Sequence, residues 1–179
     1  MPLYSISHPH IDIDLRYATA DNLTGQPIYQ QALAVLHPDA LEALRKAATL
    51  AAAQGLRLRV YDAYRPVAAQ WLLWNVLPDP RYVADPRIGS IHNRGVAVDL
   101  TLAAPDGTPL DMGTAFDDMT ARSSHGCTDL PVAAQRNRAL LLGLMALAGF
   151  AHNAHEWWHY NLPDWDAYPA LDEALVVLD

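Results

Sequence analysis

The stretch SIHNRGVAVDLTL, residues 90–102, joins a polar turn to an alternating strand pattern. Apolar residues occupy every second position from 96 to 102, which predicts a strand with one face in the core. The opposite face carries Asp99. Gly95 lies between His92 and Asp99, and glycine readily permits the tight turn that would bring both side chains to one point. The stretch therefore predicts a strand that points a carboxylate into a cleft.

Helical and strand patterns are mixed on either side of this stretch. Helices are predicted from apolar spacing with Pro near the start or Gly at the end, and strands from alternation. The predicted elements are a helix at Pro38–Gln54, a strand at 56–61, a helix from Pro66 to Pro78, a helix at Pro131–Ala148 and a strand-like segment at Phe150–Leu162. Residues 103–127 are predicted as an irregular loop. Because each strand pattern has one apolar face, we expect an α+β fold, a small and mainly antiparallel sheet packed with helices, in a single domain spanning 1–179.

Composition excludes several classes of protein. With 51% hydrophobic and 18% charged residues, the 179-residue chain has enough apolar material for a core and is not disordered. A net charge of −8 argues against nucleic-acid binding, and a single cysteine excludes an internal disulfide framework. The longest nonpolar stretch, 139–151, is too short to span a membrane, and no secretory signal pattern is present. We expect a cytoplasmic protein, or a periplasmic one if a signal peptide has been removed, that neither binds nucleic acid nor inserts into membranes.

Two histidines and a carboxylate have the composition of a catalytic zinc site, which takes three protein ligands and keeps a fourth position open. His92, Asp99 and His159 meet that count, and Glu156 is then left over as a general base for a water molecule. Spacing alone equally fits a chance grouping among eight histidines, with Glu156 paired to a nearby arginine. Residues three apart face opposite ways in a strand, so the segment from Glu156 to His159 must bend if both serve a metal.

Four motifs follow one another along the chain: YDAYRP at 61–66, S-x-H-x-x-G-x-A-x-D at 90–99, DMGTAFD at 111–117 with the pair at 124–125, and EWWH at 156–159. In this order they resemble the zinc D-alanyl-D-alanine dipeptidases of the vancomycin-resistance type, which belong to a wider group with the D-Ala-D-Ala carboxypeptidases. The resemblance covers about Tyr61 to Tyr160, over half of the chain. It implies the D-Ala-D-Ala metallopeptidase fold, which is hedgehog-like.

The resemblance also implies a reaction and its residues. It implies one zinc ion per chain, held by His92, Asp99 and His159, with Glu156 as the base and later the acid for the leaving amine. Arg65 is implied as the cation that stabilises the oxyanion, a role that suits a planar guanidinium. The implied reaction is hydrolysis of the D-alanyl-D-alanine dipeptide, in cell-wall turnover or antibiotic resistance. A D,D-carboxypeptidase or wall-peptide endopeptidase with the same metal core, and a non-catalytic zinc domain, are the alternatives.

Further residues are candidates for contact with a small D,D-dipeptide. Ser90 is a candidate for a substrate carboxylate, although it equally suits a cap for the turn before His92. The remaining candidates are Tyr64, Asp62 and Trp157. Asp62 is a candidate to orient Arg65 or to contact a substrate amine, although it equally suits an exposed position at the end of a strand. Trp157 and its neighbour are otherwise core residues, one of which is expected to wall the pocket. Neither the preferred second residue of the dipeptide nor the oligomeric state follows from the sequence.

Overall fold

The computed structural model describes residues 2–171 and the backbone of 177–178. Within these residues the strands and helices are β1 Leu3–Ser5, β2 Ile11–Ile13, β3 Val35–Leu36, α1 Pro38–Ala52, β4 Arg57–Asp62, α2 Val67–Val76, β5 Ala97–Ala103, α3 Val132–Ala148, β6 Ala151–His152, β7 His159–Asn161 and β8 Val177–Leu178. Strands and helices share one polypeptide without a repeating order, as the predicted α+β class requires.

Two sheets organise the strands. The larger has the order β2-β4-β5-β7-β6, with β2 parallel to β4 and the remaining neighbours antiparallel. The smaller has the order β3-β1-β8, and pairs β1 antiparallel to β3 but parallel to β8. The predicted α+β fold with a mainly antiparallel sheet is confirmed, and each sheet adds one parallel pair that local sequence patterns do not indicate.

The helix boundaries follow from the residues that end them. Pro38 occupies the first turn of α1, where its missing N–H costs no hydrogen bond. The His37 side chain caps the same end by accepting the Asp39 N–H. Gly149 ends α3 in the left-handed conformation, at φ 109°, which glycine adopts without strain. The apolar faces of α1 and α3 share one buried cluster with β4 and β5.

Strand β5 lies in the centre of the larger sheet and is buried at every residue from 97 to 103. Its predicted polar face is therefore also covered, with Asp99 only 2% exposed. The strand-like segment predicted at Phe150–Leu162 is instead two short strands, β6 and β7, joined by a turn. This turn supplies the bend that the spacing of Glu156 and His159 demands.

Among the residues that the structure describes, every helix is too short or too polar to cross a membrane.

Candidate active site

Adjacent strands bring the predicted ligands together. Asp99 on β5 lies directly opposite His159, the first residue of β7. His92 belongs to a 3-10 turn at Ile91–Arg94 that leads into β5. Gly95 ends this turn at φ 69°, and an added Cβ would lie 2.7 Å from the Leu3 side chain, so only glycine fits without displacement. The tight turn expected between His92 and Asp99 is thus present.

The three ligand atoms converge as metal ligands do. His92 Nε2 lies 3.1 Å from His159 Nδ1. Asp99 Oδ1 lies 3.0 Å from His159 Nδ1 and 3.3 Å from His92 Nε2. Bond lengths of about 2.0–2.1 Å around a tetrahedral zinc ion separate neighbouring ligands by roughly 3.3 Å. Distances and donor types therefore both fit a zinc ion held by His92, Asp99 and His159.

Neighbouring groups set the protonation state of two of these ligands. His92 Nδ1 lies 2.7 Å from the Ala63 carbonyl, which can only accept, so Nδ1 carries the proton and Nε2 keeps its lone pair for a metal. Burial alone would raise the pKa of Asp99. His92 and His159 outweigh it through charge and hydrogen bonding and hold that pKa well below its usual value. Asp99 is consequently an anionic ligand at neutral pH.

Glu156 lies in the turn between β6 and β7 and lines the same cleft as the three ligands. The Asn153 amide donates to Glu156 Oε2 at 2.7 Å, which orients the carboxyl and leaves Oε1 for another partner. Burial raises the pKa of Glu156 from 4.5 to about 8, against the opposing charge of His159. A cation bound nearby lowers such a pKa, so the group is suited to take up and release a proton near neutral pH.

Arg65 lies between β4 and α2 and is held from two sides. Its Nε and NH2 donate to Asp62 Oδ2 at 2.9 and 2.8 Å, and NH1 donates to Gln70 Oε1 at 2.9 Å. The Arg65 NH2 group also lies 3.5 Å from Asp99 Oδ2. Although burial lowers the pKa of Arg65, Asp62 and other neighbours raise it well above its usual value. Arg65 therefore stays cationic, and it lines the cleft beside the ligands.

Backbone contacts join the Arg65 segment to the His92 turn. The Arg65 N–H donates to the His92 carbonyl at 3.2 Å, and the Asn93 amide donates to the Arg65 carbonyl at 2.7 Å. The Ser90 hydroxyl accepts the His92 N–H, and Asn93 Oδ1 accepts the Ser90 N–H, so the two side chains cap the turn reciprocally. Ser90 also lines the cleft, so capping and ligand contact are compatible.

The cleft itself is small, with a cavity volume of about 140 Å³. Pockets for drug-sized ligands usually span roughly 300–1,000 Å³. One wall comes from residues 80–84 after α2, and another from Asp117 and Met119 in the loop that follows β5. Asp117 and Met119 lie in the segment predicted as an irregular loop at 103–127, and both segments contribute side chains to the cleft lining.

The other predicted contact residues occupy different positions. Asp62 is fully buried beneath Arg65, and its second oxygen accepts a short hydrogen bond from Tyr29. Tyr64 lines a separate cavity of about 490 Å³. The Trp157 indole donates to Thr114 at 2.9 Å, away from the cleft lining, whereas Trp158 contributes to that lining. The structure thus brings Ser90, the three ligands, Glu156 and Arg65 together at the cleft. Asp62 contacts Arg65 and lies 3.5 Å from His92 Nδ1, so it orients Arg65 from outside the cleft lining, and the exposed strand-end alternative is wrong. Tyr64 and Trp157 lie outside this lining as well.

The structure adds Asp117 to the cleft, a residue to which the sequence analysis gave no role. Asp117 has φ 61°, a left-handed conformation uncommon outside glycine. Its carboxyl accepts the Tyr17 hydroxyl at 2.9 Å and the Leu23 N–H at 3.0 Å. Burial raises the pKa of Asp117 to about 7. Asp117 is the last residue of the DMGTAFD motif, but spacing alone gave this Asp no partner.

Comparison with known proteins extends over nearly the whole chain. Residues 2–174 match the Peptidase_M15 family, described as D-ala-D-ala dipeptidase. The chain is 50% identical over 167 residues to D-alanyl-D-alanine dipeptidase of Escherichia coli strain K12, covering 93% of this chain and 86% of the relative. It is 36% identical over 177 residues to D-alanyl-D-alanine dipeptidase of Enterococcus faecium, covering 87% of each. A D-alanyl-D-alanine dipeptidase of Streptomyces coelicolor is 38% identical over 172 residues, with 84% of this chain and 85% of the relative covered. With a metallopeptidase ligand set in its cleft and this match along its length, the chain belongs to the Peptidase_M15 D-ala-D-ala dipeptidase family.

Proposed function

We propose that the protein is a zinc-dependent dipeptidase that hydrolyses D-alanyl-D-alanine to two molecules of D-alanine. The observation that carries the proposal is the convergence of His92, Asp99 and His159 with Glu156 and Arg65 around one small cleft. A purely structural metal site has use for neither a buried general base nor an arginine beside it. Relatives that bear the dipeptidase name, at up to 50% identity, support the choice of substrate.

His92, Asp99 and His159 would hold the zinc ion, since their separations and donor types fit it. When bound, zinc supplies Lewis acidity that polarises the scissile carbonyl and makes water a better nucleophile. The protein fixes the ligands before binding, because Asp99 and His159 are neighbours in the sheet and His92 is locked by the Ala63 carbonyl.

Glu156 moves the proton. Asn153 occupies Oε2 of the carboxylate, so Oε1 is the oxygen that takes a proton from the attacking water. The same group then protonates the leaving amine, so that one proton is transferred and none is lost. Burial keeps the pKa of Glu156 high enough for both steps near neutral pH.

Arg65 stabilises the negative oxygen that develops when water adds to the peptide carbonyl. Three of the five guanidinium N–H groups donate to Asp62 and Gln70, and NH2 turns a further one toward Asp99. One N–H on NH1 is left to donate into the cleft. A fixed donor of this kind gains little in the ground state and most in the transition state.

The cleft offers one polar group for the ammonium end of a zwitterionic dipeptide and one for its carboxylate end. The Asp117 carboxyl lines the cleft and suits the ammonium group, while Ser90 lies on the same lining and can donate its O–H to the carboxylate. A cavity of about 140 Å³ favours a dipeptide over the end of a long wall peptide. Met119 and the segment 80–84 form the walls that a longer chain would have to displace.

The test measures D-alanine release from the free dipeptide and from a pentapeptide ending in D-Ala-D-Ala, with and without a chelator. We expect hydrolysis of the dipeptide, its loss on chelation and its return with zinc. Glu156→Gln should keep one zinc per chain and lose about 10²- to 10⁴-fold in kcat, whereas Glu42→Gln, on the exposed face of α1, should match the wild type. Zinc loading without turnover of the dipeptide refutes the proposal, and faster cleavage of the pentapeptide assigns the protein to the carboxypeptidases.

A further inference from the structure

Gln70 is a fully buried amide on α2 that uses both ends of its side chain. Its Oε1 accepts from Arg65 NH1 at 2.9 Å. Its Nε2 donates to the Ala84 carbonyl at 2.8 Å. A buried amide with both its oxygen and its nitrogen paired has one orientation only, because reversing it would place like groups against each other.

Ala84 belongs to the segment 79–89, which walls the cleft through residues 80–84. The other hydrogen bonds described for this segment stay within it or reach Leu77, as in the Tyr82 and Val83 N–H groups that donate to Asp79. Val83 anchors the segment by packing in a small apolar cluster. The bond from Gln70 is thus the polar link between this wall and the residues around the ligands.

We propose that Gln70 is a positioning residue that fixes the Arg65 guanidinium and the cleft wall 80–84 relative to each other. Asp62 accepts from Nε and NH2 through the single oxygen Oδ2, so the planar guanidinium can still pivot about that oxygen. Gln70 removes this freedom by holding NH1, the nitrogen with an N–H left for the cleft. The expected effect of Gln70 on kcat and KM rests on the proposed function, whereas its effect on the order of segment 80–84 does not. Gln suits the position because one side chain supplies an acceptor for the cation and a donor for the carbonyl.

Two substitutions separate these two contacts. Gln70→Glu keeps the shape and an oxygen for Arg65, but turns a second oxygen toward the Ala84 carbonyl in place of an N–H. Gln70→Met keeps the length and removes both contacts. Gln135→Glu is the matched control, because Gln135 on α3 also donates from its amide to loop carbonyls, those of Thr128 and Leu130, which lie outside the cleft lining.

The experiment combines hydrogen exchange of the peptide covering 78–90 with steady-state kinetics on D-Ala-D-Ala, using the zinc-loaded full chain. We expect faster exchange in this peptide for both Gln70 variants and unchanged exchange for Gln135→Glu. Both Gln70 variants should raise KM because the wall loosens. Only Gln70→Met also frees NH1, so its kcat should fall to about a tenth of that of Gln70→Glu.

The outcomes decide between a positioning residue and a filler of the core. Unchanged exchange in both Gln70 variants, or equal kcat for Glu and Met at this position, overturns the proposal. If Gln70→Met does not fold, Gln70→Asn, which keeps the amide but is too short to reach both partners, takes its place in the comparison. If the wild-type protein releases no D-alanine, the proposed function fails, and the exchange measurements still decide whether Gln70 holds the wall.

Discussion

Replacing Asp117 by Asn should change how stability depends on pH. Burial raises the pKa of the carboxyl from 3.8 to about 7. Between about pH 4 and pH 7 the folded protein therefore keeps a proton that the unfolded chain has lost, and the free energy of unfolding falls as pH rises through this window. A shift of about three pH units corresponds to at most about 4 kcal/mol. Above about pH 7 both states are ionised and the loss is complete.

Asn isolates this effect with little other change. It tolerates the left-handed backbone at φ 61°, and its oxygen can accept the Leu23 N–H while its NH2 donates to the Tyr17 hydroxyl. The assay is urea unfolding of both proteins from pH 4 to pH 8, followed by tryptophan fluorescence at one fixed zinc concentration. We expect Asp117→Asn to gain stability relative to the wild type as pH rises, and to level off above about pH 7. A difference that stays constant across the range refutes a buried carboxyl with a raised pKa.

Three further predictions concern the turn, the arginine and the metal. Gly95→Ala should destabilise the fold by about 1–2 kcal/mol because of its left-handed backbone alone, and by more because the added Cβ would contact Leu3. Gly126→Ala is the control, since its added Cβ meets nothing within 4 Å, and it should unfold at the same urea concentration as the wild type. Arg65→Lys should bind zinc normally but lose about 10²–10³ in kcat, because an ammonium cannot keep both hydrogen bonds to Asp62 and also donate to the oxyanion. A kcat near that of the wild type would contradict the assignment of Arg65 to the oxyanion. Zinc at about a hundredfold above its Kd should raise the free energy of unfolding of the wild type by about 2.7 kcal/mol, measured by thermal unfolding. A comparable rise in His92→Ala would show that His92 is not a ligand.

Local chemistry explains why much of the fold is predictable. The ends of α1 and α3 depend on Pro38 and Gly149, whose effects on the backbone do not require distant residues. The strand from 97 to 103 follows from alternation, and the turn before it from Gly95. The parallel pairing of β2 with β4 was not predictable, because three residues carry too short a pattern to choose a partner.

The candidate ligands could be named from the sequence for a different reason. With 20 acidic residues and eight histidines in the chain, residue type alone did not single out His92, Asp99, His159 and Glu156. Their places in ordered motifs that resemble a zinc dipeptidase shortened the list of candidates. Their geometry was not predictable, since it depends on the register that sets Asp99 opposite His159 and on the turn that lifts Glu156 out of a strand.

By itself, the sequence determined which residue types are available for chemistry, where the longer helices begin and end, and which segments resemble a zinc dipeptidase. Only the tertiary structure decided that Asp62 accepts two hydrogen bonds from Arg65 and that Trp158 lines the cleft. It likewise revealed Asp117 and Gln70 at their positions around the site. The physical reason is that motifs record local backbone and side-chain preferences. Burial, pKa and hydrogen-bond partners arise from contacts between segments far apart in the chain, such as Tyr17 with Asp117.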